Sequence, residues 1–180
     1  MKATGIVRRI DDLGRIVIPK EIRRTLRIRE GDPLEIFTDR EGKVILKKYS
    51  PIGELGSLAG IYADSLSKTL GCTVCITDTD QVIAAAGNGK KEFQEMLLSA
   101  ELAEVFQERK TVLKKSSDAE FVAITKDRSE YSEEIISVIL SEGDIAGGVI
   151  FLQKNEKKHF GEMEKKFAAG AADLLGRQLS

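Results

Sequence analysis

Nine lysines and arginines fall between residues 2 and 29: Lys2, Arg8, Arg9, Arg15, Lys20, Arg23, Arg24, Arg27 and Arg29. Seven are arginine, and only Asp11, Asp12 and Glu21 oppose them. Arginine presents a planar fork of N–H donors that suits phosphate oxygens and guanine edges, where lysine offers a point charge. Such a cluster on one rigid surface fits a nucleic-acid groove; the competing reading is a solvated basic face. The charge is also segregated. Residues 1 to 50 carry 13 Lys and Arg against 8 Asp and Glu, and residues 51 to 180 carry 15 against 21, so the net charge of −1 averages two opposite parts. That asymmetry points to a polyanionic partner for the basic part and a different task for the acidic part.

Other chemistry finds little support. Cys72 and Cys75 have C-x-x-C spacing, but they sit in a β-branched run that reads as a strand, where residues three apart point to opposite faces. No second pair completes a zinc site, so both are expected to be small buried residues and no metal or cofactor is expected. The single His159 lies in the charged stretch EKKHFGEMEKK, and the sequence identifies no partner for it. The stretch AAAGNGKK lacks the spacing and the Ser/Thr of a phosphate-binding loop. A catalytic constellation is therefore missing, and an enzyme is not expected. No apolar run approaches the ~18 residues of a membrane span, and the N-terminus has no signal-peptide core, so a cytoplasmic protein is expected.

Two units must position these residues. Residues 4 to 10, 14 to 19, 33 to 39 and 43 to 49 are rich in Ile and Val between turn signals, which predicts four strands. Gly42 is placed for a hairpin between the last two. Between the second and third, Ile22 and Leu26 share a helical face behind Pro19, which predicts a short helix with both side chains inward and Arg23 and Arg24 at the rim and outer face. A unit of about 50 residues is close to the smallest that can bury a core alone, so a second copy with interleaved strands is expected.

Beyond Pro51 and Gly53, Leu55, Leu58, Ala59, Tyr62, Leu66 and Leu70 predict a helix over 54–70 that Gly71 stops. Strands are predicted at 72–77 and 81–86, helix over 90–109, strands in EFVAITK, EIISVIL and IAGGVIFLQ, and a last helix over 160–178. The last helix carries Phe160, Met163, Phe167, Ala171 and Leu174 on one stripe. This order is an α+β layer, an antiparallel sheet with packed helices.

The stretch from Asp11 to Leu26 follows the pattern D-x-L-G-R-x-V-I-P-x-E-x-R-R-x-L, and nearly all of residues 1 to 51 resembles the DNA-binding domain of the AbrB-type transition-state regulators of Gram-positive bacteria. The resemblance implies a swapped-hairpin domain over 1–51, an interleaved dimeric β-barrel with a short helix. It implies DNA contacts from Arg8, Arg15, Arg23 and Arg24, with Lys2 and Arg9 in support. Residues 54 to 180 look like a GAF domain, a fold that often holds a small effector, although no ligand signature is visible. Together these imply a double-stranded-DNA-binding activator and repressor of sporulation-stage genes, associated with the nucleoid of the forespore. The apolar stripes of the second unit predict a further dimerisation, giving a dimer of dimers. An antitoxin built on the same N-terminal fold is the alternative, against which stands the long patterned segment that follows residue 51.

Overall fold

The structure, a computed structural model, describes residues 6–126 and 130–179. The chain divides into two compact units, Met1–Tyr49 and Ser50–Ser180.

In the first unit a short helix α1 (Lys20–Thr25) follows Pro19, whose fixed φ suits the residue entering a helix. A hairpin of β1 (Leu34–Thr38) and β2 (Val44–Lys48) then pairs antiparallel, Leu34 opposite Lys48 and Thr38 opposite Val44. Gly42 takes φ +79° in its turn, as the sequence requires. The strands expected over 4–10 and 14–19 are not formed in their described residues, which carry no regular secondary structure on either side of a turn at Asp11–Gly14. The reason is a lack of ladder partners: among the described residues no neighbouring strand takes up their backbone groups.

No described residue of this unit is buried. Twelve of its described large apolar side chains are exposed, among them Val7, Val17, Leu26, Ile36 and Val44. Leu26, expected to anchor α1 inward, is 57% exposed, while Ile22 is half-buried. Among the described residues of the first unit there is no buried core for Leu26 to enter.

In the second unit, α2 (Pro51–Glu54) and α3 (Gly56–Leu70) replace the single helix expected from residue 54, and Gly71 ends α3 in the left-handed conformation. Strands β3 (Thr73–Thr77) and β4 (Val82–Ala86) follow as expected. Residues 90–109 do not form one helix. They give α4 (Lys90–Phe93) and α5 (Ala100–Gln107), because the intervening segment is drawn to the sheet edge by Val82 N–H on Met96 O at 2.9 Å and Leu98 N–H on Asp80 O at 2.8 Å. The strand expected at EFVAITK is a loop with one bridge, Leu98 to Thr125. The edge position is taken instead by β5 (Val112–Lys115), which the sequence reading left out. The long pair β6 (Glu133–Ser141) and β7 (Asp144–Gln153) forms the centre, and α6 (Glu162–Arg177) closes the chain.

The antiparallel sheet runs β4-β3-β7-β6-β5 and is covered on both faces. Strands β6 and β7 are therefore buried almost throughout, as their near-continuous apolar sequence requires. One face packs Val74, Ile76, Ile135, Val149 and Phe151 against Ile52, Ala59 and Ala63 of α2 and α3 and Ala168, Ala172 and Leu175 of α6. Small residues at these helix positions let the backbones approach the sheet closely. The other face packs Cys75, Ile136, Ile150 and Leu152 against Phe93, Leu98, Leu102 and Phe106. Cys72 and Cys75 are free, buried, and divided between the two cores, as strand alternation predicts. The stripe expected on α6 is split: Phe160, ahead of the helix, and Ala171 are buried, whereas Met163, Phe167 and Leu174 stay exposed.

Candidate nucleic-acid interface

The arginines of the first unit are presented by two local devices. The first is the turn at Asp11–Gly14, which follows the first arm. Asp11 N–H donates to Arg15 O and Gly14 N–H to Asp11 O, both at 3.0 Å, while Asp11 Oδ1 accepts from the N–H of Leu13 at 3.0 Å and of Arg15 at 2.8 Å. The remaining oxygen, Oδ2, accepts from Arg15 Nε at 2.8 Å with the arginine side chain 70% exposed. The carboxyl of Asp11 is held below its ordinary value, first by the Arg15 N–H and then by the Arg15 side chain. A charged side chain is thereby tied at one nitrogen and held in solvent.

The second device is α1. It is one and a half turns long, too short to be stable by propensity alone, and its exit is closed by Leu26 N–H on Ile22 O at 2.9 Å and Ile28 N–H on Arg23 O at 2.8 Å. Arg23 is half-buried and Arg24 exposed. Arg8 and Arg9 are exposed on the first arm. Arg8, Arg9, Arg23 and Arg24 make no ion pair or side-chain hydrogen bond to any described residue. Unpaired guanidinium groups are free to meet phosphate oxygens without first losing an internal partner. Lys2 lies outside the described residues.

Sequence reading missed Asp11 as the residue that organises Arg15. A signal was present: Asp-x-x-Gly-Arg at 11–15 recurs as Asp-x-x-Gly-Lys at 39–43. The second copy repeats the same bonds, with Asp39 N–H on Lys43 O, Gly42 N–H on Asp39 O, and Asp39 Oδ1 accepting from Glu41 and Lys43. It also missed the partner of His159, Glu133, described below.

Comparison with known proteins places both units. Residues 54–180 match the family model described as stage V sporulation protein T C-terminal, transcription factor. Residues 7–54 match the model for antidote-toxin recognition MazE, bacterial antitoxin. Stage V sporulation protein T of Bacillus subtilis is 51% identical over 183 aligned residues, covering 99% of each chain. The transition state regulatory protein AbrB of the same organism is 67% identical over 51 residues, covering 28% of this chain and 52% of AbrB. The GAF domain of an Acinetobacter phosphoenolpyruvate-protein phosphotransferase superposes with a TM-score of 0.59 at 14% identity, over 74% of this chain and 84% of that one, which shows a GAF-like fold in the second unit. With relatedness running the full length of both chains, this protein belongs to the stage V sporulation protein T family of transcription factors.

Proposed function

We propose that this transcription factor binds double-stranded DNA through Arg8, Arg15, Arg23 and Arg24, assisted by Lys2 and Arg9, and so controls sporulation-stage genes as activator and repressor. The observation that carries the reading is the set of exposed or half-buried arginines of a basic unit that are left unpaired among the described residues, with Arg15 held outward by Asp11. Arginines on a turn and a short helix suit phosphate contacts and groove shape better than a rigid base code.

The working unit is a homodimer in which the arms before and after Asp11–Gly14 interleave with their copies. Among the described residues of this unit, twelve exposed large apolar side chains and not one buried residue describe a half-built core, and a second copy of the same chain supplies the other half. Exposed Met163, Phe167 and Leu174 on α6 support a second contact between C-terminal units, hence a dimer of dimers. The C-terminal unit senses a small effector, and the site of action is the nucleoid of the forespore. An antitoxin role is not favoured, since the relative that matches over the full length is a sporulation protein and the C-terminal family is one of transcription factors.

The test is the salt dependence of DNA affinity for the full chain and for Arg15→Ala and Arg24→Ala. Each variant should show a shallower log–log slope, because each copy of the chain loses a phosphate contact. An unchanged slope in both removes this surface from the interface.

A further inference from the structure

Within the C-terminal unit, a cavity of about 320 Å³ lies between the sheet and the loop that follows β5. Its floor includes Glu134 and Leu152, which face each other in the β6–β7 register. Phe93 and Tyr131 line it as a tilted ring pair with centroids 5.6 Å apart, and Phe121 and Val122 come from the loop. The volume suits a ligand of one or two rings.

The polar side of this cavity is unusual. Glu134 is fully buried, and its Oε1 accepts from the Val122 N–H at 3.1 Å. Its Oε2, equally buried, has no hydrogen-bond partner among the described residues. Lys114 faces Glu134 in the β5–β6 register, yet its ammonium donates to the carbonyl oxygen of Glu120 at 3.0 Å. Among the described residues, the charged ones lining the cavity, Asp118 and Glu134, are both acidic. A buried acceptor without a donor bears the full cost of its lost hydration, so a donor arriving there is strongly favoured. Burial also pushes the Glu134 carboxyl up to about 7, so near neutral pH it exchanges readily between the charged and neutral forms.

The geometry points to a small-molecule site in which Glu134 Oε2 accepts from an N–H donor of a ring-bearing ligand, cationic or neutral, while the aromatic walls take its apolar body and anions are turned away. It rests on the reading of the C-terminal unit as a sensing domain, and it names the chemistry that domain senses.

Three probes of one shape separate the possibilities: benzamidine (cation), benzamide (neutral donor) and benzoate (anion), tested on the full chain by saturation-transfer NMR slightly above neutral pH. Benzamidine and benzamide should bind, with benzoate weaker by at least roughly tenfold. Glu134→Gln should weaken benzamidine by roughly tenfold and benzamide less, since the amide oxygen still accepts. Phe121→Ala, on a half-buried loop residue, should weaken both and decides the matter if the Glu134 variant does not fold. Binding of benzoate as tight as benzamidine, no binding by any of the three, or benzamidine binding that is indifferent to both substitutions overturns the proposal. A DNA titration of the same sample keeps the two readings apart: lost DNA affinity with intact probe binding sinks the interface, and the reverse sinks the cavity.

Discussion

Asp11 and Arg15 are joined three times: through the backbone, Asp11 N–H to Arg15 O at 3.0 Å; from the Arg15 N–H to Asp11 Oδ1 at 2.8 Å; and from Arg15 Nε to Asp11 Oδ2 at 2.8 Å. One carboxylate therefore shapes the turn and aims the guanidinium that the turn carries. Its exposed position makes the ion pair a weak source of stability and a useful source of geometry.

Asn and Ala at position 11 should differ in consequence. Asp11→Asn keeps an acceptor for the Leu13 and Arg15 N–H groups and loses the ionic hold on Arg15, so DNA affinity should fall by a few-fold. Asp11→Ala loses the turn acceptor too and should cost about tenfold or more, while the C-terminal unit melts as in the parent. Titration with labelled DNA alongside thermal melts checks this; equal affinities for both variants and the parent would mean that Asp11 does not position Arg15.

The exposed apolar side chains of the first unit give a prediction about assembly. Residues 1 to 53 alone should sediment as a dimer. Ile36→Asp or Val44→Asp should leave that segment largely unfolded, since burying each such side chain is worth roughly 1.5–3 kcal/mol in a small shared core. A folded monomer in sedimentation equilibrium would refute the interleaved dimer.

Glu134 should make stability depend on pH in an unusual direction. Its folded value of about 7 lies above the ordinary 4.5, so the fold binds a proton that the unfolded chain has already released. Stability is therefore greatest below the ordinary value and declines as pH rises toward about 7 and beyond. Glu134→Gln removes this dependence and should gain on the parent by ~3 kcal/mol between mildly acidic and mildly alkaline solution. Urea melts across that range test it, and parallel pH profiles for variant and parent would show that the carboxyl is not perturbed.

Glu133, the residue before it, points to the opposite face and behaves oppositely. Burial raises its carboxyl, but the Phe160 N–H on Oε2 at 2.7 Å, His159 Nδ1 at 2.8 Å from Oε1, and Lys115 outweigh that, and the net shift is downward. The pair fastens the segment ahead of α6 to the start of β6. Its contribution is present above the ordinary carboxylate value and is lost as pH falls through the lowered one. Glu133→Gln should therefore cost ~1–3 kcal/mol at neutral pH and flatten the acid limb of the stability profile. His159→Ala should cost less, because the Phe160 bond survives. Urea melts at neutral and acidic pH read both effects, and an acid limb that Glu133→Gln leaves unchanged would refute this role.

What could be read from the residues alone was governed by local physics. Periodicity, Pro19, Gly42 and Gly71 sufficed for α1, the β1–β2 hairpin, the end of α3 and the β6–β7 pair, because each depends on neighbours close in sequence. The segregation of charge and the dense arginines were enough to point at DNA before any fold was known. The arrangement of residues 90–126 was decided only by tertiary structure. There the segment around Met96–Leu98 was captured by the sheet edge and EFVAITK was displaced by β5, since edge hydrogen bonds override local helix and strand preference. Partners distant in sequence were likewise invisible. Glu133 meets His159 across 26 residues, and Glu134 Oε2 finds no donor among the described residues beside a cavity, because a three-dimensional core brings side chains together, or isolates them, irrespective of their spacing along the chain.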